Sequence, residues 1–418
     1  MSSKFVLQQE DGTVAGGNAR GEYAIDLGLS RTFAYQVASG KESIAIGNLV
    51  TAAGTNRGIA IGYNVQARTS GIAIGDSSSA TPDYAIAIGR NNNILDNAGV
   101  AIGTNVTAHG RSVALGNNNS ATHYDCFVAG QGNSTSSQYS TVSGGQSNTA
   151  STGTHATVVG GASNTASGAY SVAGGYNNVA SGEQSIALGR ISRATGPFSF
   201  AACQGIASHS WAVALGYGTA SGMQSAVIAA DGAVASAKAS LATGKSYAYM
   251  YGMVSMANDV FPYGTGSTQN WFVNTSNSGL NNPSTTLNFT SGSTAQLGQQ
   301  YNGGAGMKPL TTNAVWNVMA RWSAIVTNIS GTATGVSVGD VIVGNDTFFY
   351  KQVSGTASIS TPTSVSSDSD ASMSTATMTY STTLNQGLVS TFTAPTFAGG
   401  GTLTIQVMTN YYVVEIQL

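Results

Sequence analysis

The chain has 418 residues, of which 8% are charged, and its 15 Lys and Arg against 17 Asp and Glu leave a formal charge of −2. Nucleic acids and anionic membranes are bound through clustered basic charge, so this balance argues against both as partners. The 54 glycines, and apolar residues that are mostly small or β-branched in the first two thirds, indicate strands and tight turns rather than amphipathic helices.

The N-terminal segment, residues 1–40, is the least repetitive part of the first half. It has no apolar core long enough for a secretion signal, and no run of about 18 apolar residues that could span a bilayer occurs anywhere. We therefore expect synthesis in a cytoplasm and no insertion into a membrane. The segment is expected to cap the first coil of the repeat that follows, because open ends of stacked strands need covering.

Residues 41–250 consist of a short repeat. The unit reads Ser-Ile-Ala-Ile-Gly at 43–47, Gly-Ile-Ala-Ile-Gly at 58–62 and 71–75, and variants follow without a break. The last residue of each unit serves as a marker, and the markers recur with a mean period of about fourteen residues, which is typical of a solenoid. The markers are Gly47, Gly62, Gly75, Gly89, Gly103, Gly116, Gly130, Gly145, Gly161, Gly175, Gly189, Cys203, Gly216, Ala229 and Gly244. We predict that the marker glycines are structural.

A second half-unit lies between the markers, as in Asn-Thr-Ala-Ser-Gly at 164–168, so each period offers two short strands and two turns. Such strands cannot stand alone, but stacked about 4.8 Å apart they pair their backbone groups with the neighbouring coils. The sequence therefore predicts an all-β fold with a parallel β-roll of about fifteen coils, roughly 70 Å long. Alternation directs Ile44 and Ile46 to one face and Ala45 to the other, so several chains are expected to pack together and bury the apolar face.

The Ser-Ile-Ala-Ile-Gly and Ala-Ser-Gly units of residues 40–250 resemble the head repeats of trimeric autotransporter adhesins. This resemblance implies a left-handed parallel β-roll that assembles as a homotrimer. The chain departs from that family in lacking a secretion signal, a long heptad stalk and a membrane-barrel anchor. Its segment 17–27, followed by Gln-Val-Ala-Ser-Gly at 36–40, resembles bacteriophage tail-fibre proteins that carry the same roll. Together the two resemblances favour a phage fibre.

Residues 251–418 differ in composition from the repeat. Around residues 247–261 the period dissolves into bulky apolar residues, which are expected to close the last coil. Longer strands of a C-terminal β-sandwich are predicted at 314–322, 340–343, 347–353, 371–380, 388–393 and 402–418. The layout of residues 316–418 also resembles the terminal domains of phage tail fibres.

Candidate receptor contacts are aromatic residues of the C-terminal region. Aromatic rings stack on sugar rings, and uncharged groups hydrogen-bond hydroxyls without the cost of desolvating a charge. The candidates are Trp271, Tyr301, Tyr350, Tyr411 and Tyr412. Positions in the core or in a trimer interface are the alternative explanation for most of them.

A polysaccharide depolymerase is the main functional alternative, because such enzymes use paired carboxylates. Among the acidic residues between 43 and 250, only Asp83 and Asp96 are spaced to lie on adjacent coils. Turn residues that hydrogen-bond their own backbone explain the same pair. We therefore expect no catalytic residues and no enzymatic activity.

Neither a metal site nor a cofactor site is expected. His109, His123 and His209 are spaced to share one turn column, and stacked imidazoles can bind a metal, but no carboxylate or cysteine completes the set. The glycines follow the repeat period rather than a phosphate-binding loop. Cys126 and Cys203 take positions where the pattern expects small buried residues, so we expect reduced thiols.

The sequence as a whole predicts an elongated homotrimeric fibre, made in the host bacterial cytoplasm and placed on the virion surface. Residues 1–40 would bind other virion proteins of the tail, baseplate or capsid, and residues 41–250 would form the shaft. Residues 251–418 would attach to a host surface receptor, with a glycan as the expected ligand. A purely structural head or baseplate component is the third possibility.

Overall fold

A computed structural model describes residues 18–228, 232–257, 268–275, 285–297, 300–301, 304–305, 313–354, 356–382 and 388–417. The chain divides into two compact units, Met1–Gln204 and Gly205–Leu418. In the described residues of both, no helix is long and apolar enough to cross a bilayer.

The first sheet of the first unit is built from the Ile-Ala-Ile-Gly segments. Each strand pairs in parallel with the equivalent strand of the next coil, so that Ile44 lies opposite Ile59 and Gly47 opposite Gly62. The strands are Ile25–Ser30, Ile44–Asn48, Ile59–Tyr63, Ile72–Asp76, Ile86–Arg90, Val100–Thr104, Val113–Asn117, Phe127–Gln131, Thr141–Val142, Thr157–Ala162, Val172–Tyr176, Ile186–Arg190 and Phe200–Ala202. Stacking in register satisfies the backbone groups of strands that could not form alone.

The second half-units form the second parallel sheet of the same unit. Thr51 lies opposite Gln66, and Ala52 lies opposite Ala67. The strands are Thr51–Ala52, Gln66–Ala67, Ser79–Ala80, Asn93–Ile94, Thr107–Ala108, Ser120–Ala121, Ser134–Thr135, Thr149–Ala150, Thr165–Ala166, Val179–Ala180 and Arg193–Ala194. The predicted parallel β-roll is therefore confirmed.

Alternation along the strands decides which side chains fill the roll. Ala45 and Ala60 of the first sheet point inward and are completely buried, as are their counterparts in the second sheet. The outward residues differ between the two sheets, because the first presents columns of Ile and Val and the second presents Thr, Gln, Ser and Asn. The roll consequently has one apolar and one polar outer face.

The marker glycines lie at a turn that other residues cannot adopt without strain. Gly75 has a φ of 126° and Gly103 a φ of 141°, outside the range that L-residues favour. A Cβ atom at either position would overlap the carbonyl oxygen of the marker glycine in the next coil. Close stacking of backbones and a positive φ therefore both require glycine there.

A column of buried asparagines follows the marker turn, at Asn119, Asn133, Asn148, Asn164 and Asn178. Each side-chain amide donates one hydrogen bond to the backbone carbonyl four residues earlier and another to the backbone carbonyl of the marker glycine in the next coil. Each side-chain oxygen accepts the backbone N–H of the equivalent residue one coil further on. This asparagine ladder satisfies turn carbonyls that water cannot reach.

The second unit begins with coils of the same kind. Their strands are Ile206–Ala207, Val213–Leu215, Gly218–Ala220, Ala226–Ile228, Ala233–Ala235, Leu241–Gly244, Tyr247–Ala248 and Val254–Ala257. Parallel pairing ends at Val254–Ala257, which pairs antiparallel with Thr268–Thr275. Tyr249, Met250 and Met253 are buried where the period ends. Residues 258–261 of the segment expected to close the coil lie outside the described residues.

The rest of the second unit is antiparallel. Its elements are Thr268–Thr275, Thr285–Phe289, Thr294–Leu297, Gln300–Tyr301, Gly304–Ala305, Ala314–Ser330, Val341–Val353, Thr356–Ile359, Thr363–Ser369, the 3₁₀ helix Ala371–Met373, Thr377–Thr382, Leu388–Thr393 and Thr402–Gln417. Ala314–Ser330 lies between Val341–Val353 and Thr402–Gln417 in the larger sheet. A three-stranded sheet is formed by Thr294–Leu297, Leu388–Thr393 and Thr377–Thr382.

One apolar core joins residues of these two sheets. Trp322 and Leu403 of the larger sheet and Phe392 of the smaller sheet belong to it, which confirms the predicted β-sandwich. Asp346 is buried in the same region and accepts hydrogen bonds from the indole of Trp322 at 2.8 Å and from the hydroxyl of Tyr380 at 2.6 Å. The carboxylate therefore has partners despite its burial.

The prediction of one strand over 371–380 is wrong in its first half. Residues Ala371–Met373 form a 3₁₀ turn, and the strand begins only at Thr377. Asp370 accepts the backbone N–H of Val341 at 2.8 Å, and Met373 is completely buried. These contacts hold the segment in a turn, because tertiary packing outweighs weak local strand propensity.

Candidate functional site

The structure places the five candidate aromatic residues differently. Tyr350 and Tyr411 are buried, at 0% and 1% exposure, whereas Tyr412 is 45% exposed. The backbones of Trp271 and Tyr301 lie in strands, and their side chains fall outside the described residues. Tyr411 and Tyr412 face opposite sides because they are consecutive in one strand.

Tyr350 and Tyr411 are core residues and have no free surface for a receptor. The ring of Tyr350 packs 4.8 Å from that of Trp316, and burial raises the pKa of the Tyr350 hydroxyl. The hydroxyl of Tyr411 contacts the hydroxyl of buried Ser390. Tyr412 is thus the candidate whose described side chain reaches the surface.

Tyr412 belongs to an exposed apolar face on the larger sheet of the second unit, formed by Met319, Phe349, Tyr412, Val414 and Ile416. Met319 lies directly opposite Tyr412 and is 48% exposed, and Phe349 is 53% exposed. The exposed Asn317 lies between Phe349 and Val414 on the same face. Single exposed apolar residues are common, but several on one face of adjacent strands are typical of an interaction surface. Sequence reasoning missed four of these residues, although alternation along Ala314–Ser330 contains the signal.

The surroundings of Asp96 suit an ionised hydrogen-bond acceptor. The hydroxyl of Tyr124 donates to its carboxylate at 2.6 Å, and the backbone N–H of Asn97 donates at 2.7 Å. These bonds lower the pKa of Asp96, first through Tyr124 and then through Asn97. A general acid in glycoside hydrolysis requires a raised pKa. The backbone N–H of Asp83 donates to the side chain of Asn97 at 2.9 Å, so the proposed pair lies in hydrogen-bonded turns.

The candidate histidines also lie in turns. His123 and His209 each accept the backbone N–H of the following residue through Nδ1, at 2.9 Å and 2.8 Å, whereas His109 packs edge-on against Tyr124. Within the described residues, His, Cys, Asp and Glu form no group of three that could hold a metal.

Cys126 and Cys203 are both free thiols, but Cys203 is exposed rather than buried because it takes the place of a marker glycine in the turn.

A strip of turn residues on the first unit was not predicted, and we call it the turn ridge: the half-buried Asp96 and the exposed Tyr124, Tyr139, His155 and Tyr170. The rings of Tyr139 and His155 stack with centroids 4.8 Å apart, and those of His155 and Tyr170 with centroids also 4.8 Å apart. Tyr139 is 46% and Tyr170 54% exposed. The stack follows the spacing of the coils.

The three stacked residues carry backbone strain, with φ of 61° at Tyr139, 61° at His155 and 57° at Tyr170. A left-handed conformation costs an L-residue roughly 1–2 kcal/mol. An aromatic pair contributes about 0.5–1.5 kcal/mol beyond its buried area. Equivalent turns hold Ser70, Ala98 and Gln184 at positive φ as well, so the strain belongs to the turn, and the two ring pairs offset part of it.

Comparison with known proteins identifies the repeat. The family model described as the YadA head domain repeat matches residues 38–64, 69–92 and 180–202. No curated protein matches the sequence. Each described run of coils is thus a parallel β-solenoid. The coils within the matched segments are similar to YadA head repeats, as the sequence predicts.

Two solved structures resemble the chain weakly. One is the tailspike protein of Acinetobacter phage vB_ApiP_P1, with 11% sequence identity and a TM-score of 0.27 over 94% of this chain and 81% of that chain. The other is the tailspike protein of Acinetobacter baumannii phage AM24, with 8% identity and a TM-score of 0.16 over 90% of this chain and 62% of that chain. TM-scores this low support no inference about a shared fold or function.

Proposed function

We propose that the protein is a phage fibre protein that forms a homotrimer on the virion surface and attaches the virion to a glycan of the host cell. In this proposal residues 1–40 bind other virion proteins, residues 41–250 form the shaft, and residues 251–418 carry the binding surface. The observation that carries the proposal is the in-register stack of adhesin-like coils with one apolar and one polar outer face. The role is attachment rather than catalysis.

The apolar outer face supports an assembly of several chains. Its columns include Ile44 and Ile61, which are half-buried in the single chain, and Ile102, which is 38% exposed. Soluble monomers rarely leave a continuous apolar surface of this kind in water. A closed symmetric assembly would bury this face and keep the polar face in water. The number three comes from the resemblance to trimeric adhesins.

Replacing Ile61 by glutamate is expected to disrupt the trimer. The substitution would place an unpaired carboxylate against apolar residues of neighbouring protomers, which is strongly unfavourable. Analytical ultracentrifugation should give three times the 42.2 kDa chain mass for the unmodified protein and a lower mass for Ile61→Glu. Gln66→Glu, on the polar face of the same coil, is the matched control and should remain trimeric. A trimeric Ile61→Glu protein would contradict the proposed interface.

Attachment in this proposal depends on repetition more than on one strong site. Tyr412 and its apolar neighbours offer a flat surface on which a sugar ring can stack. Three copies in a trimer, and several fibres on a virion, raise avidity through effective concentration without new contacts. Weak individual sites are therefore sufficient for firm adsorption.

The direct test measures binding of the full chain to a panel of bacterial strains and to their purified surface polysaccharides. Saturable binding that leaves the polysaccharide chains intact is expected. Tyr412→Ser should weaken binding at least tenfold, whereas Tyr63→Ser, at an exposed tyrosine of the roll, should leave it unchanged. Shortened polysaccharide products would instead identify a depolymerase. A trimer that binds no strain and no polysaccharide would favour a structural virion component.

A further inference from the structure

The turn ridge holds aromatic residues at positions where the fold does not require them. Equivalent turns of other coils hold Ser70, Ala98 and Gln184 at positive φ, so small or polar side chains serve the same turn. Nevertheless Tyr139, His155 and Tyr170 occupy it in successive coils, with their rings exposed to solvent. The turn therefore explains the positive φ but not the presence of aromatic residues in three consecutive coils.

The chemistry of the stack suits a sugar chain. Exposed tyrosine and imidazole rings combine an apolar body with a polar edge. The tyrosine hydroxyls and the imidazole nitrogens donate and accept hydrogen bonds, and these groups match sugar hydroxyls. The rings stack face to face, at 27° and 12° from parallel, so their edges are what faces solvent. These edges repeat at about the 4.8 Å spacing of the coils, and successive edges can meet successive sugars of an extended polysaccharide.

Charges beside the stack indicate a neutral ligand. Arg111 forms a bidentate pair with Asp125, at 2.7 Å for both bonds, in the turns that precede Tyr139. The carboxylate of Asp96 is held by the hydroxyl of Tyr124 at 2.6 Å. Arg111, the arginine beside the stack, is therefore already paired with Asp125. The carboxylate of Asp96 remains as a negative charge. An acidic polysaccharide would meet repulsion rather than a binding cation.

We propose that the turn ridge is a second glycan-binding site, which takes a neutral polysaccharide lying along the coils. Tyr139, His155 and Tyr170 provide a row of ring edges that carry hydrogen-bonding groups, and Asp96 with Tyr124 provides hydrogen-bond partners at one end. The inference rests on the proposed attachment function. It adds a site on the repeat region to the one proposed for residues 251–418.

The test compares the full chain with the triple variant Tyr139→Asn, His155→Asn and Tyr170→Asn. Asparagine tolerates positive φ, so these replacements remove the rings and keep the turns. The matched control is Tyr84→Asn, which changes an exposed tyrosine at φ 62° in the equivalent turn, outside the stack. The probe is an array of purified bacterial polysaccharides that includes neutral glucans, neutral galactans and uronic-acid polymers.

The triple variant is expected to lose at least tenfold in apparent affinity for neutral polysaccharides, with unchanged oligomeric state and melting temperature, while Tyr84→Asn binds normally. Equal binding by the triple variant would overturn the site and leave the proposed attachment function standing. Loss of the trimer in the triple variant would also overturn it, because the stack would then be a contact between protomers. Preference for uronic-acid polymers would contradict a neutral ligand. Absence of binding by the unmodified chain would defeat both proposals.

Discussion

Replacing Gly145 by alanine is expected to unfold the surrounding coils, whereas the same replacement at the adjacent Gly144 is expected to be tolerated. Gly145 has a φ of 88°, and a Cβ there would overlap the carbonyl oxygen of Gly161 in the next coil. The atom that would have to move is backbone, held by the side-chain amide of Asn148 at 2.8 Å. Gly144 has open space around the Cβ position.

Two costs combine at Gly145. An L-residue in such a conformation costs about 1–3 kcal/mol, and separating two coils breaks backbone hydrogen bonds worth about 1 kcal/mol each. We expect a loss of at least about 4 kcal/mol, within the range of severe core substitutions. Thermal unfolding followed by circular dichroism would measure it. If Gly145→Ala melted at the same temperature as Gly144→Ala, the result would contradict the close approach of the turns at Gly145 and Gly161.

The roll could be predicted from two patterns in the sequence: the period of the repeat and the alternation of large and small apolar residues within each strand. A repeat of about fourteen residues predicts stacked coils, and the Ile44-Ala45-Ile46 alternation predicts which residues fill the roll. Residue types alone did not reveal the asparagine ladder. Asn148 and Asn164 look like ordinary turn residues until the coils are stacked and their amides meet carbonyls of the next coil.

The binding surfaces were less predictable. A candidate list drawn from residue type could not separate Tyr411 from Tyr412, whose exposure differs because the strand places them on opposite faces. The turn ridge was missed because Tyr139, His155 and Tyr170 are 16 and 15 residues apart, and these unequal turns hide the column from a fixed period. Stacked coils align them in space because the strands, rather than the turns, keep the register.

Replacing Asn164 by valine is expected to destabilise the roll by about 3 kcal/mol. Several buried groups lose a hydrogen-bond partner, and each such loss costs about 1–3 kcal/mol. The side-chain amide donates to the carbonyls of Gly160 at 3.1 Å and Gly175 at 2.7 Å. The side-chain oxygen accepts from the backbone and side-chain amides of Asn178, both at 3.0 Å. Valine removes the donor to both carbonyls and the acceptor of the Asn178 backbone N–H, whereas the side-chain amide of Asn178 keeps its bonds to the carbonyls of Gly174 and Gly189.

Sterics are not the cause, because valine fills the equivalent position at Val50, Val65 and Val106 in other coils. Serine is the informative comparison. At the equivalent position Ser192 donates to the carbonyl of Leu188 at 2.8 Å, so Asn164→Ser should keep one bond of the ladder and lose less stability than Asn164→Val. Denaturant unfolding of the three proteins should therefore rank asparagine above serine and serine above valine. Equal stability of Asn164→Val and the unmodified chain would show that the ladder satisfies these carbonyls without stabilising the roll.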